Sequence, residues 1–165
     1  MLGALSWSLE EADSHRVDAL LGALLAETGA ERALLIDRTG QLIAAAGATP
    51  ALDPTAFASL AAADFAANEQ LASLLGGRAF SSLYHQGTRS SLYLSAVAGR
   101  AILAVVFARE VTLGMVRIKV RRALPALAAL FQEVFARPPA RAESRLAAGW
   151  AGEAEVEIDR LFDGE

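Results

Sequence analysis

The chain has 165 residues and a mass of 17.3 kDa, the size of one ordinary domain. With 54% apolar and 21% charged residues it is not a disordered chain, and with no cysteine it has no disulfide, thiol nucleophile or thiolate metal site. A net charge of −4 argues against broad nucleic-acid binding, and no uncharged apolar run is long enough for a membrane span.

Ser8 and Glu11 stand at capping-box spacing, and Val17, Leu20, Leu21, Leu24 and Leu25 follow at helical intervals. With Gly29 as a stop, this predicts a first helix over 8–28. The runs 33–36 and 42–46, joined by Asp37-Arg38-Thr39-Gly40, predict a β-hairpin. Asp53-Pro54 opens a second helix that should run to Leu75 and stop at Gly76-Gly77. Two faces of that helix are apolar: Phe57, Leu60, Ala67, Leu71 and Leu74 on one, and Ala58, Ala62, Phe65 and Ala72, with Glu69, on the other. Three strands are expected over 79–86, 91–97 and 101–108, the last apolar throughout and therefore central. A long helix from Thr112 to Arg137 carries Pro125, which should kink it or remove a hydrogen bond. Its opening, Val116 to Val120, alternates like a strand as well. Pro138-Pro139 ends the domain, which spans 8–137, and 138–145 is a linker. Residues 146–165 repeat Trp150, Ala154, Ile158, Leu161 and Phe162 at helical spacing among acids, an amphipathic acidic helix in need of a docking surface.

Catalytic signatures are missing. There is no phosphate-binding loop, no GxGxxG fingerprint, no GxSxG elbow and no metal-binding spacing of His15 and His85. His85 reads as structural or solvent-facing, with catalysis or ligation as the alternative. No catalytic residue, cofactor-binding residue, metal ligand or cofactor is expected, and an enzyme is the weaker reading. The basic cluster Arg117, Lys119, Arg121 and Arg122 reads as a solvated face, with an anionic partner or membrane surface as the alternative.

The run Glu31 to Ile43 resembles the first hairpin of Roadblock/dynein-light-chain domains. So do the small-residue run Ala61-Ala62-Ala63-Asp64-Phe65-Ala66-Ala67, the ending Leu74-Leu75-Gly76-Gly77, His85-Gln86-Gly87 before a second hairpin, the strand Ile102 to Phe107, and Leu113-Gly114 opening the last helix. The resemblance covers about 16–138. With its Pro-Pro break and acidic C-terminal segment, the chain is similar to the bacterial MglB group. Pro125 and Phe65 depart from the family pattern.

The resemblance implies an α+β sandwich of order α-β-β-α-β-β-β-α, with a five-stranded antiparallel sheet and helices on both faces. It implies a cytoplasmic homodimer, placed at the cell pole, whose second helices pair and whose sheets join edge to edge. It also implies binding to a Ras-like GTPase of the MglA type and stimulation of GTP hydrolysis, in cell polarity and in gliding or twitching motility, without an inserted arginine. On that reading the partner surface is Ala58, Ala62, Phe65, Ala66 and Glu69, with Trp150, Leu161 and Phe162 of the tail. The dimer surface is Asp64, Ala67 and Leu71. Phe65 has a core position as its alternative. Two other functions compete: a non-catalytic Roadblock scaffold, and a small-ligand sensor, which would want a pocket of convergent polar groups.

Overall fold

The computed structural model describes residues 10–77 and 80–136. Its elements are α1 (Glu11–Thr28), β1 (Arg32–Asp37), β2 (Leu42–Gly47), α2 (Pro54–Leu74), β3 (Ser82–Gln86), β4 (Ser90–Val97), β5 (Ala101–Ala108) and α3 (Leu113–Ala136). They belong to the compact unit Ser8–Phe135, apart from the last residue of α3. The expected linker at 138–145 and the segment 146–165 lie outside the described residues.

All strand pairs are antiparallel, in the order β2-β1-β5-β4-β3. The apolar β5 is central, as its composition requires, because both of its faces are covered. Strand alternation divides its side chains between two cores. Leu103, Val105 and Phe107 pack with α1 and α3 on one face of the sheet. Ile102, Ala104 and Val106 pack with α2 on the other. The fold is therefore an α+β sandwich with helices on both sides of a five-stranded antiparallel sheet.

Local chemistry sets the boundaries. α1 begins at Glu11 with Glu10 as an N-cap that makes no side-chain capping bond, so the expected box between Ser8 and Glu11 is not the start signal. Glu11 is the first helical residue and not the third, which takes it out of reach of that role. Asp37 Oδ1 accepts from Thr39 N, Thr39 Oγ1 and Gln41 N at 2.7–2.8 Å and closes the β1–β2 turn. Gly40 there has φ +92°, and a Cβ would come within 2.9 Å of Ser59 Cα on α2. Asp53 caps α2 by accepting from Thr55 N and Ala56 N. Its other end is a Schellman motif, in which Gly77 N donates to Ala72 O and Gly76 N to Ser73 O, with Gly76 at φ +68°.

The strand-like opening of α3 is helical, and the helix continues through Pro125, which lies on the exposed side. The hydrogen bond lost there faces water, so little holds against it. Among the described residues no helix is long and apolar enough to cross a membrane.

Candidate functional site

The second helix is inverted relative to ordinary amphipathicity. Its buried residues are Ala58, Ala61, Ala62, Phe65 and Ala72, four of them alanines. Its outward side carries Leu60, Leu71 and Leu74, which are 71%, 56% and 84% exposed. Ala56, Ala63 and Ala67 complete that exposed stripe. Small residues on the inside let the helix lie close to the sheet, and the large apolar groups are left facing solvent.

This placement corrects the expected partner surface. Ala58 and Phe65 are fully buried and Ala62 is nearly so, packed on Leu34, Ile36, Leu94 and Ile102. The sheet covers that face because the β1–β2 turn and α2 converge there, and Phe65 fills the space its alanine neighbours leave. In this chain those three residues are core. Ala66 is exposed and Glu69 half-buried at the edge of the covered face. Ala67 and Leu71 stand on the open stripe, and Asp64 is half-buried beside it. Trp150, Leu161 and Phe162 lie outside the described residues.

Two polar contacts fix the flanks of α2. On one side His85 Nε2 of β3 meets Asp64 Oδ2 at 2.6 Å. That ties the helix to a strand at the end of the sheet, whose outer edge has no neighbour among the described residues. His85 thus has a structural partner, and Leu71, seven residues after Asp64, lies on the same flank. On the other side Arg38 of the β1–β2 turn makes a two-pronged pair with Glu69, one branch being Arg38 Nη1 to Glu69 Oε1 at 2.8 Å. The Arg38 guanidinium also lies 5.8 Å over the Phe65 ring. The hydrogen bond from Arg38 holds the Glu69 carboxyl below the ordinary glutamate range, with the charge attraction adding to it. Ala66 shares this second flank, three residues before Glu69.

The face of the sheet under α2 is only partly covered. Leu83 of β3 and Leu92 and Ala96 of β4 are half-buried at its margin. One helix cannot shield five strands, whereas the opposite face has two. The site is thus a continuous surface: an apolar helix stripe, a free strand edge and two leucines at the margin between them. Such surfaces mark protein contacts. Among the described residues no group of three or more His, Asp or Glu is placed to hold a metal ion.

The model of the Roadblock/LC7 domain matches residues 16–107. The chain belongs to the Roadblock/LC7 family. This Roadblock domain is 36% identical to Myxococcus xanthus MglB, with a TM-score of 0.69, over 72% of this chain and 96% of that one. It is 38% identical to the gliding protein MglB of Thermus thermophilus, with a TM-score of 0.71, over 78% and 97% of the two chains. An MglB described as having a tetrameric arrangement is 39% identical, again with a TM-score of 0.71 and coverage of 78% and 97%. No curated protein matches.

The half-buried and exposed members of the site were visible as a second apolar face of α2. Arg38 was missed as a site residue. Its signal was weak, because a turn arginine becomes informative only once the turn is known to touch the helix.

Proposed function

We propose that this chain is a homodimeric regulator of a Ras-like GTPase of the MglA type, acting as a GTPase-activating protein in cell polarity and motility. The observation that carries it is the outward leucine stripe of α2 beside the free edge of β3, in a Roadblock domain 36–39% identical to MglB proteins over almost their whole length. Two copies would pair along the flank of Asp64, Ala67 and Leu71 and along β3. The edge strand gains backbone partners and the leucines are removed from water.

The GTPase would meet the other flank, Ala66 and Glu69, with Arg38 beside it. Trp150, Leu161 and Phe162 would supply a second contact. The regulator brings no catalytic group of its own. It accelerates hydrolysis by binding the GTPase's active arrangement better than its resting one, which shifts that population. Accelerations of roughly 10³- to 10⁵-fold are known where groups are supplied or reordered around the γ-phosphate. The work is done in the cytoplasm, with polar placement following from the partner.

The test is phosphate release by a GTP-loaded MglA-type GTPase with and without this protein. A rise that saturates with protein concentration supports the reading. Binding without any rise would identify a scaffold and sink the activating role. Removing residues 146–165 should leave the melting temperature unchanged and lower affinity or nucleotide exchange. A fall of many degrees would show that the segment stabilises the fold and is no partner arm.

A further inference from the structure

The outer surface of α3 offers a second contact site, on the opposite side of the sheet from α2. Gly114, Arg117, Ile118 and Arg121 line a shallow hollow of ≈ 260 Å³. Their spacing is i, i+3, i+4 and i+7 on one helix, the four-residue hole that receives a single side chain from a facing helix. The hollow exists because residue 114 has no side chain, and a Cβ there would meet nothing within 4 Å. Ile118 and Met115 beside it are 54% and 45% exposed.

Charge defines the visitor. Lys119 on the inner flank is engaged by Glu27 of α1 at 2.9 Å, and Arg122 also acts on that carboxylate. Arg117 and Arg121, exposed on either side of Ile118, have no carboxylate partner among the described residues. A second copy of α3 would set arginine against arginine across the seam, a like-charge juxtaposition. A bilayer would need a broad convex apolar surface, and here the apolar element is one hollow and two side chains.

We propose that the hollow on α3 is a docking site for an acidic amphipathic helix of a partner protein, one apolar side chain entering between Gly114 and Ile118 and flanking carboxylates pairing with Arg117 and Arg121. This goes beyond the GTPase reading and uses a face which that reading leaves open.

The probe is a fluorescein-labelled helical peptide of three heptads with Leu at the seam and Glu flanking it, followed by anisotropy against the full chain and against the chain lacking 146–165; binding by the shortened chain alone would mean that the chain's own acidic segment takes the hollow and would overturn a partner's docking there. A peptide with Lys in place of Glu and phosphatidylserine vesicles are the competing probes. The Leu/Glu peptide should bind in the micromolar range and the other two should not. Gly114→Phe places a ring at the hollow from a Cβ that meets nothing within 4 Å, so its melting temperature should hold while affinity falls by about tenfold or more. Arg117→Glu with Arg121→Glu should reverse the preference towards the Lys peptide. Binding of the Leu/Glu peptide that neither change disturbs, no binding at all, or binding of vesicles in its place would each overturn the proposal.

Discussion

Helices α2 and α3 lie on opposite faces of one sheet and distribute their apolar residues in opposite ways. α3 buries Val116, Val120, Leu127, Leu130, Phe131 and Val134 and turns Arg117, Arg121, Arg122, Gln132 and Glu133 outward among small residues, with Met115 and Ile118 its exposed large apolar groups. α2 buries alanines around Phe65 and turns leucines outward. The first arrangement is complete within one chain, because large side chains fill the space above the sheet. The second is incomplete. Its inner side chains are short, its outer side chains gain nothing from folding, and it lies beside a strand whose outer edge has no neighbour among the described residues. An apolar group that is exposed after folding is stabilised only by a further surface. The contrast separates a helix whose largest side chains are mostly inside from one whose largest side chains are mostly outside.

The largest effect that would break this contrast is at Phe65. Phe65→Ala should cost about 3–5 kcal/mol and lower the melting temperature by on the order of 10 °C, as expected for a large buried ring. Leu71→Asp on the open stripe should change the stability of the separated monomer by less than about 0.5 kcal/mol, read at a concentration low enough to dissociate paired copies. Equal thermal losses for the two would mean that α2 has no inside and outside of the kind described.

Ala67→Arg tests the stripe as a seam. The wild-type chain should sediment at about twice 17.3 kDa at micromolar concentration. A charge placed in a close-packed seam should weaken association by roughly 3 kcal/mol, about a hundredfold in dissociation constant. A wild-type monomer at that concentration would remove the reason for a paired α2.

Gly40→Ala sharpens the account of how the first hairpin is seated on α2. The residue has φ +92° and almost no room above Ser59, so the change should cost about 1–3 kcal/mol by chemical denaturation. A neutral result would show that the turn moves away from the helix freely.

The smallest effect is at Glu69. Glu69→Gln removes half of a partly exposed ion pair and should cost less than about 1 kcal/mol. The sign of its pH dependence follows from the lowered carboxyl. The pair's contribution is fully present above the unfolded value of about 4.3 and is lost as pH falls through the lower folded value. Wild type and variant should therefore converge in melting temperature in acid. The same substitution should reduce GTPase affinity more than it reduces stability if this flank is a contact. An equal, small change in both would confine Glu69 to holding the turn.

Much of this was legible beforehand because it is local. The hairpin at Asp37 to Gly40, the Asp53-Pro54 start and the Gly76-Gly77 stop of α2 and the central position of β5 depend on neighbours a few residues away. The ambiguity at Val116–Val120 was resolved only by packing, since Val116 and Val120 had to meet the sheet from a helix. The candidate surface was half legible. Its residues could be sorted into two apolar faces, but the expected partner surface included Ala58, Ala62 and Phe65, and the structure buries that alanine face around Phe65.

The sequence by itself determined the order of elements, the antiparallel hairpins and the family, because turn chemistry, caps and apolar periodicity act over short distances and need no third partner. Only the tertiary structure decided which side of α2 is inside. That choice depends on the depth of the gap above β1, β5 and β4, which one phenylalanine among alanines fills and a row of leucines would overfill. It also decided that Arg38 meets Glu69 and His85 meets Asp64, pairs separated by 31 and 21 residues that no local rule could join.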